Sequence, residues 1–151
     1  FEYYNMSDKY IGLDLGTTTL GVAISDSLGI VHGVENFNFE PGNYKKAREH
    51  VIKITKKFEI YNIVIGFPLT LDGIEQKRCE SVKRFCNDLK QVNNDLNIYY
   101  QDERYSTIDA RERLMSMDYK KAKQDKMIDM VAAIIILEKF LEEKKNGKVK
   151  W

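Results

Sequence analysis

The sequence predicts an α/β domain in which helices cover both faces of a mixed five-stranded sheet. Three short apolar segments near the start, at residues 10–15, 20–25 and 30–39, are separated by brief turns and predict an antiparallel meander. Beyond residue 43, segments with helical spacing of apolar residues alternate with short apolar runs. That alternation is typical of parallel strands joined by helices.

Turn residues mark the ends of the first three strands. Gly16 and Thr17 follow the first strand, residues 26–29 (DSLG) follow the second, and residues 40–43 (EPGN) follow the third. The later elements are predicted as a helix around 47–58, strand 61–67, a helix around 82–89, strand 98–101, and helices 106–115 and 125–144. The order is therefore βββαβαβαα, and right-handed crossovers place its helices on both faces of the sheet.

Size and composition favour one domain, which we expect to span residues 6–146. Residues 1–5 precede Met6 and are interpreted as a cloning remnant, and residues 147–151 as a basic tail. The apolar runs are far shorter than the roughly 20 residues that cross a bilayer, so no membrane is expected. Cys79 and Cys86 are predicted to be free thiols, which together with the lack of a secretory signal favours the cytoplasm.

The net charge of +1 does not by itself indicate a nucleic-acid-binding protein. The distribution of lysine is more suggestive, because two segments are crowded with it. They contain Lys120, Lys121, Lys123 and Lys126, and then Lys144, Lys145, Lys148 and Lys150. Such side chains could contact phosphates, or they could form a solvated surface and a loose tail; charge alone leaves both open.

Asp14 is the first candidate site residue, because it interrupts an otherwise apolar strand. A carboxylate there loses solvation unless something compensates it. It could accept hydrogen bonds from the Gly16–Thr17 turn, or it could bind a cation.

Asp102 and Glu103 form the second candidate, at the end of the last strand. Adjacent residues on a strand point to opposite faces, so only one of them can share a site with Asp14. Glu103 is the favoured one and Asp102 the alternative, although acids at a strand end can also be an ordinary loop edge. Ser106 is predicted as the N-cap of the next helix, with Asp109 completing a capping box.

Asp129 is the third candidate, on the longest predicted helix. Ala132, Ala133 and Ile136 share its face, and the helix is apolar nearly all round, which predicts deep packing against the sheet. Neutralisation by Arg104 or Lys126 is the alternative interpretation. Three carboxylates brought together repel each other unless a cation intervenes, and hard oxygen ligands suit Mg²⁺ or Mn²⁺. Two such ions about 4 Å apart can drive phosphodiester hydrolysis.

Four segments of the chain resemble the YqgF family of ribonuclease H-like proteins, which are regarded as Holliday-junction-resolvase-like proteins or as nucleases that process pre-16S rRNA. The segments are IGLDLGTTTLGVAISDSLGI (11–30), IVIGFPLTLDG (63–73), DERYST (102–107) and KMIDMVAAIIIL (126–137). The resemblance implies a ribonuclease H-like fold and a nuclease whose catalytic, metal-binding residues are Asp14, Glu103 and Asp129. The residues expected to bind or support the substrate are Gly16, Thr17, Gly66, Pro68, Leu69, Asp72, Gly73, Arg104, Ser106, Thr107 and Lys126.

The sequence departs from the family pattern at several positions. Thr18 and Thr19 stand where members carry a basic pair, which puts phosphate binding there in doubt. Tyr105 replaces a leucine, and Glu75 stands where glycine is common.

The expected partner is nucleic acid, either an RNA precursor or branched DNA, and the protein is expected to be a monomer or a homodimer. A module that binds RNA or a ribosomal particle without cutting it is one alternative, and a Holliday junction resolvase is another. The segment Asp14–Thr19 also resembles the first phosphate loop of actin-like and sugar-kinase-like ATPases, but those have a second lobe and a second phosphate loop.

Overall fold

We describe residues 8–70 and 77–147 of a computed structural model of the chain. The elements are β1 (Tyr10–Leu15), β2 (Thr19–Ser25), β3 (Val31–Asn38), α1 (Tyr44–Phe58), β4 (Asn62–Phe67), α2 (Lys77–Val92), β5 (Asn97–Asp102), α3 (Ser106–Ser116) and α4 (Lys121–Lys145). The predicted order βββαβαβαα is confirmed.

The five strands form one mixed sheet in the order β3-β2-β1-β4-β5. Strands β1, β2 and β3 pair antiparallel, as the short turns between them require. Strand β4 pairs parallel with β1, and β5 pairs parallel with β4, because a helix precedes β5 and another precedes β4. The carboxyl ends of β1, β4 and β5 therefore meet at one edge of the sheet.

Helices α1 and α2 pack on one face of the sheet and build the larger core cluster. The residues of odd number in β1 and β4, such as Ile11, Leu13 and Ile65, point to this face and are fully buried. Cys79 and Cys86 lie in the same cluster as free, buried thiols, as predicted. Burial raises the pKa of Cys86 to about 12, so its sulfur is an unreactive packing group.

Helix α4 covers the opposite face, which receives Gly12 of β1, Val64 of β4 and Ala23 of β2. It can approach closely because Gly12 leaves room: a Cβ there would come within 2.8 Å of the Leu137 Cβ. Ala133, Ile136 and Phe140 of α4 pack on Val64 and Tyr10 in this second cluster. Helix α3 packs against α4 through Ala110 and Leu114 in a third cluster.

Two local predictions differ from the structure. Helix α4 begins at Lys121, four residues before its predicted start, so most of the first lysine cluster belongs to its opening turns. Ser106 is the first helical residue and not the N-cap; Tyr105 takes the N-cap position with a left-handed φ of 69° and makes no side-chain capping bond. Across the described residues, no helix has the length and apolar character needed to cross a bilayer.

Candidate active site

The candidate active site lies at the edge of the sheet where the parallel strands end. Asp14 is the penultimate residue of β1, Gly66 is the penultimate residue of β4, and Glu103 follows β5 directly. Carboxyl edges of parallel strands are common places for sites in α/β folds, since side chains from several strands meet there.

Asp14 is buried, with 8% of its surface exposed, and it has an even number and so points toward α4. Its partner across β2 is Gly21. On the β4 side, the register pairs Leu13 with Ile65, which places Asp14 level with Gly66. A glycine on each neighbouring strand leaves room beside the carboxylate for groups from other elements.

Glu103 fills part of the space beside Gly66. A Cβ on Gly66 would come within 2.8 Å of the Glu103 Oε1 and 3.1 Å of its Cβ. That Oε1 atom is buried and has no hydrogen-bond partner. An unpaired buried carboxylate oxygen carries a free-energy penalty that a bound cation would relieve.

Asp102 is turned to a different partner, Arg104. It accepts hydrogen bonds from the Arg104 backbone N–H at 2.9 Å and from its Nε at 2.7 Å, and Nη2 lies 2.5 Å from Oδ2. Although burial opposes the change, these bonds and the guanidinium charge lower the pKa of Asp102. Of the two adjacent acids, Glu103 is the one placed beside Asp14.

Asp129 reaches the site from α4, which passes directly over β2. A Cβ on Gly21 would overlap the Asp129 carbonyl, so the helix backbone rests on that glycine. Because Gly21 is the register partner of Asp14, this contact brings the third acid to the same end of the sheet.

The three acids influence one another electrostatically. Burial raises the pKa of Asp14 well above its ordinary value, and the charges of Glu103 and Asp129 raise it further, while Arg78 opposes them. Burial likewise raises the pKa of Glu103 to about 7, against the opposing charge of Arg78 and with added repulsion from Asp102 and Asp129. Mutual repulsion of this kind is what the sequence analysis expected of three converging carboxylates.

Arg78 lies beside the acids, and the sequence patterns did not single it out. It is the second residue of α2, and its Nη2 donates a hydrogen bond of 2.6 Å to the Leu15 carbonyl at the end of β1. It acts on the pKa of both Asp14 and Glu103. No local pattern distinguishes it from other arginines of α2, because its role depends on where the helix begins relative to β1.

The donor chemistry of the site fits Mg²⁺ or Mn²⁺, since Asp14, Glu103 and Asp129 offer only hard carboxylate oxygens and Glu103 Oε1 is unpaired. Within residues 8–70 and 77–147, however, no three His, Cys, Asp or Glu side chains are close enough to form a preformed metal site. The charges of the three acids affect one another, but their side chains are not arranged as three ligands around one ion.

The other predicted substrate residues lie in several places. Gly16 and Thr17 follow β1, and Pro68 follows β4, at the same edge as the acids. Leu69 packs against the larger core cluster. Ser106 is buried with an unpaired Oγ, and Thr107 is exposed beside it on α3.

Lys126 is exposed on α4 one turn before Asp129, and Arg104 is held by Asp102. The alternative interpretation, that Arg104 or Lys126 neutralises Asp129, stays a prediction. Asp72 and Gly73, with Lys148 and Lys150, lie outside the described residues.

A family model described as RuvX, Holliday junction resolvase, matches residues 8–143. The chain belongs to the RuvX family. This confirms the resemblance drawn from the four sequence segments, since the match covers all of them.

Relatives of this RuvX chain are found in Oceanobacillus iheyensis and in Geobacillus sp. strain WCH70, and each is named "Putative pre-16S rRNA nuclease". Each is 35% identical over 137 residues, which cover 90% of this chain and 99% of the relative.

Among solved structures, the chain is similar to Thermus thermophilus RuvC in complex with a Holliday junction substrate, with a TM-score of 0.63 and 13% identity. The alignment covers 95% of this chain and 98% of that one. A second Thermus thermophilus RuvC structure gives a TM-score of 0.59 at 12% identity, over 94% of this chain and 98% of the other. At such identities the likeness concerns the fold, and the expected ribonuclease H-like fold is confirmed.

Proposed function

We propose that this protein is a metal-dependent endonuclease that hydrolyses nucleic-acid phosphodiester bonds. The observation that carries the proposal is the pairing of buried Asp14 with Glu103, whose Oε1 is unpaired, beside Gly21 and Gly66. Family membership and the names of the relatives support a nuclease.

Asp14, Glu103 and Asp129 are the residues that would hold the divalent ions. Bound Mg²⁺ or Mn²⁺ supplies a Lewis acid for the phosphodiester and lowers the pKa of water, which removes the need for a nucleophilic side chain. An ion held by a few carboxylates would keep coordination positions for water and for a substrate phosphate. Arg78, beside Asp14 and Glu103, can bind a phosphate oxygen with a guanidinium that is always charged.

The start of α4 provides a second cationic region for the nucleic-acid backbone. Lys120 is its N-cap, Lys121 and Lys123 follow, and the first turn contains no acidic residue. Positive side chains at the positive end of a helix dipole are unfavourable by themselves, and an anion such as phosphate relieves that repulsion. These lysines compensate for Thr18 and Thr19, which replace the basic pair usual in the family.

The substrate that we favour is the precursor of small-subunit ribosomal RNA, in keeping with the relatives at 35% identity. The action is placed in the cytoplasm, which suits the free, buried Cys79 and Cys86. Cleavage of a four-way DNA junction is the second candidate, because the family model is described as a Holliday junction resolvase.

The test compares cleavage of a pre-16S rRNA fragment, single-stranded RNA and a four-way DNA junction by purified protein with Mg²⁺, with Mn²⁺ and with EDTA. Asp14→Asn and Glu103→Gln are expected to lower the cleavage rate by on the order of 10³-fold while folding is retained, since a metal ion supplies several kcal/mol of transition-state stabilisation. Asp125→Asn is the matched control for Asp129→Asn, as Asp125 is exposed on the same helix and pairs with Arg111.

Asp102→Asn distinguishes the two adjacent acids. Loss of cleavage in Asp102→Asn, with full activity in Glu103→Gln, reverses their assignment. Binding of RNA without cleavage under every metal condition would instead identify a non-catalytic nucleic-acid or ribosome-binding module.

A further inference from the structure

The side chain of Asn36, on β3, binds two backbone groups of α4. Its Nδ2 donates a hydrogen bond to the Lys126 carbonyl, and its Oδ1 accepts one from the Met130 N–H at 2.5 Å. In an α-helix, a carbonyl and the N–H four residues later are partners in the same turn. One amide side chain therefore hydrogen-bonds to both ends of a single helical turn, and Asp129 lies within that turn.

We propose that Asn36 is a positioning residue that orients Asp129 toward Asp14. This inference rests on the proposed function, because it takes Asp129 as a residue that binds the divalent ion. Asn36 itself contacts the helix backbone and not the carboxylate, so it acts through Asp129.

The sheet supports this role through its register. Asp14 on β1 pairs with Gly21 on β2, and Gly21 pairs with Asn36 on β3, so the three residues form one row across the sheet. The turn of α4 that contains Asp129 crosses this row. Its backbone rests on Gly21, where no Cβ intervenes, and Asn36 holds its outer side.

Core packing holds this turn only in part, since Met127, Ile128 and Met130 pack against the third cluster but are half-buried. The buried residues of α4 are Gln124 and then Val131 onward, while residues 125 to 130 are exposed or only half-buried. The N-cap of the helix, Lys120, makes no side-chain capping bond. Asp129 therefore lies just before the fully buried part of the helix, in a half-packed segment that opens more readily than the core. Two hydrogen bonds from one residue of the sheet restrict both the rotation of this turn about the helix axis and its distance from the sheet.

The expected consequence of removing the amide is a loss of metal affinity without a matching loss of fold. Changes to residues that orient metal ligands typically cost 10- to 100-fold in affinity or activity. We expect Asn36→Ala to weaken Mn²⁺ binding by about tenfold or more, and to speed hydrogen exchange at the Met130 amide. Asn38→Ala is the matched control, because Asn38 is exposed on the same strand and pairs with Thr19.

The experiment is a double-mutant cycle on the full chain, with Mn²⁺ affinity measured by calorimetry and the melting temperature measured in EDTA. If Asn36 acts through Asp129, Asn36→Ala weakens Mn²⁺ binding in the wild type and has no further effect in Asp129→Asn. Equal losses in both backgrounds, or no loss in the wild type, overturn the positioning role. If Asp129→Asn leaves Mn²⁺ affinity unchanged, Asp129 does not bind the ion, and it is the proposed function that is wrong in this respect.

A second variant covers the case in which Asn36→Ala does not fold. Asn36→Ser keeps a polar group that is too short to reach both Lys126 and Met130, and it is expected to give the same pattern. Wild-type Mn²⁺ affinity in a folded Asn36→Ser protein would contradict the proposal.

Discussion

The carboxylate of Glu103 occupies the space that a side chain at Gly66 would fill: a Cβ there would come within 2.8 Å of the Glu103 Oε1. The position of Glu103 thus requires a residue without a side chain in the neighbouring strand. Gly21 makes room for the backbone of Asp129 in a similar way, so two of the three acids lie against glycines that flank Asp14.

Gly66→Ala should therefore displace Glu103 and abolish cleavage. We expect a loss of about 1 to 3 kcal/mol in the free energy of unfolding, because the new methyl group would also meet the Ile136 Cδ1 at 2.7 Å. The double variant Gly66→Ala/Ile136→Val removes the second clash only. Urea unfolding should show partial recovery of stability, while the cleavage assay should show none; recovery of both would mean that Glu103 tolerates displacement.

Glu103 should make the metal-free protein less stable as the pH rises. Its pKa is about 7 in the folded chain against an ordinary value of 4.5, so between these values the folded state binds more protons than the unfolded state. The contribution is fully present below pH 4.5 and is lost as the pH passes 7. The free energy of unfolding of Glu103→Gln should therefore be about 1 to 3 kcal/mol larger than that of the wild type at pH 8 in EDTA.

Melting curves from pH 5 to pH 8 check this expectation, and at this chain length a difference of 1 kcal/mol corresponds to about 2 to 4 °C. Glu112→Gln, at an exposed position on α3, is the control and should follow the wild-type curve. A Glu103→Gln curve parallel to that of the wild type would contradict the raised pKa.

Arg78 should contribute to phosphate binding as well as to the balance of charge among the acids. Arg78→Ala is expected to weaken binding of nucleic acid and to reduce the slope of log K against log salt by about 0.7 to 0.9, the value for one phosphate contact. Fluorescence anisotropy at several salt concentrations measures that slope. Arg84→Ala is the matched control on the same helix. An equal effect of both changes would indicate that the net charge of the protein matters and that Arg78 makes no specific phosphate contact.

The lysines at the start of α4 should bind the backbone of the nucleic acid without regard to sequence. Lys123→Gln/Lys126→Gln is expected to reduce the same salt slope by about 1.4 to 1.8. Lys45→Gln/Lys46→Gln on α1 removes the same charge from an exposed position elsewhere and should change the slope much less. Identical slopes for the two double variants would exclude the start of α4 as the contact surface.

Local patterns in the sequence were sufficient to predict the order of the elements. Alternation in the strands and helical spacing of residues such as Ala47 and Val51 depend on neighbours along the chain, and burial of one face follows from them. The same reasoning placed Asp14 in an apolar strand and Asp129 on a packed helix. The boundaries of α4 and the cap of α3 were predicted wrongly, because Lys120 and Tyr105 take N-cap positions that no capping side chain marks.

What the sequence by itself determined is the fold and the identity of the candidate acids. Only the tertiary structure decided that Glu103 lies beside Asp14 while Asp102 pairs with Arg104. It also decided that Arg78 lies beside both acids and that Asn36 binds the turn of α4 that contains Asp129. The physical reason is that periodicity is a property of adjacent residues. The direction of a side chain at the end of a strand, and its distance from a helix far away in the chain, arise only when the sheet and helices pack together.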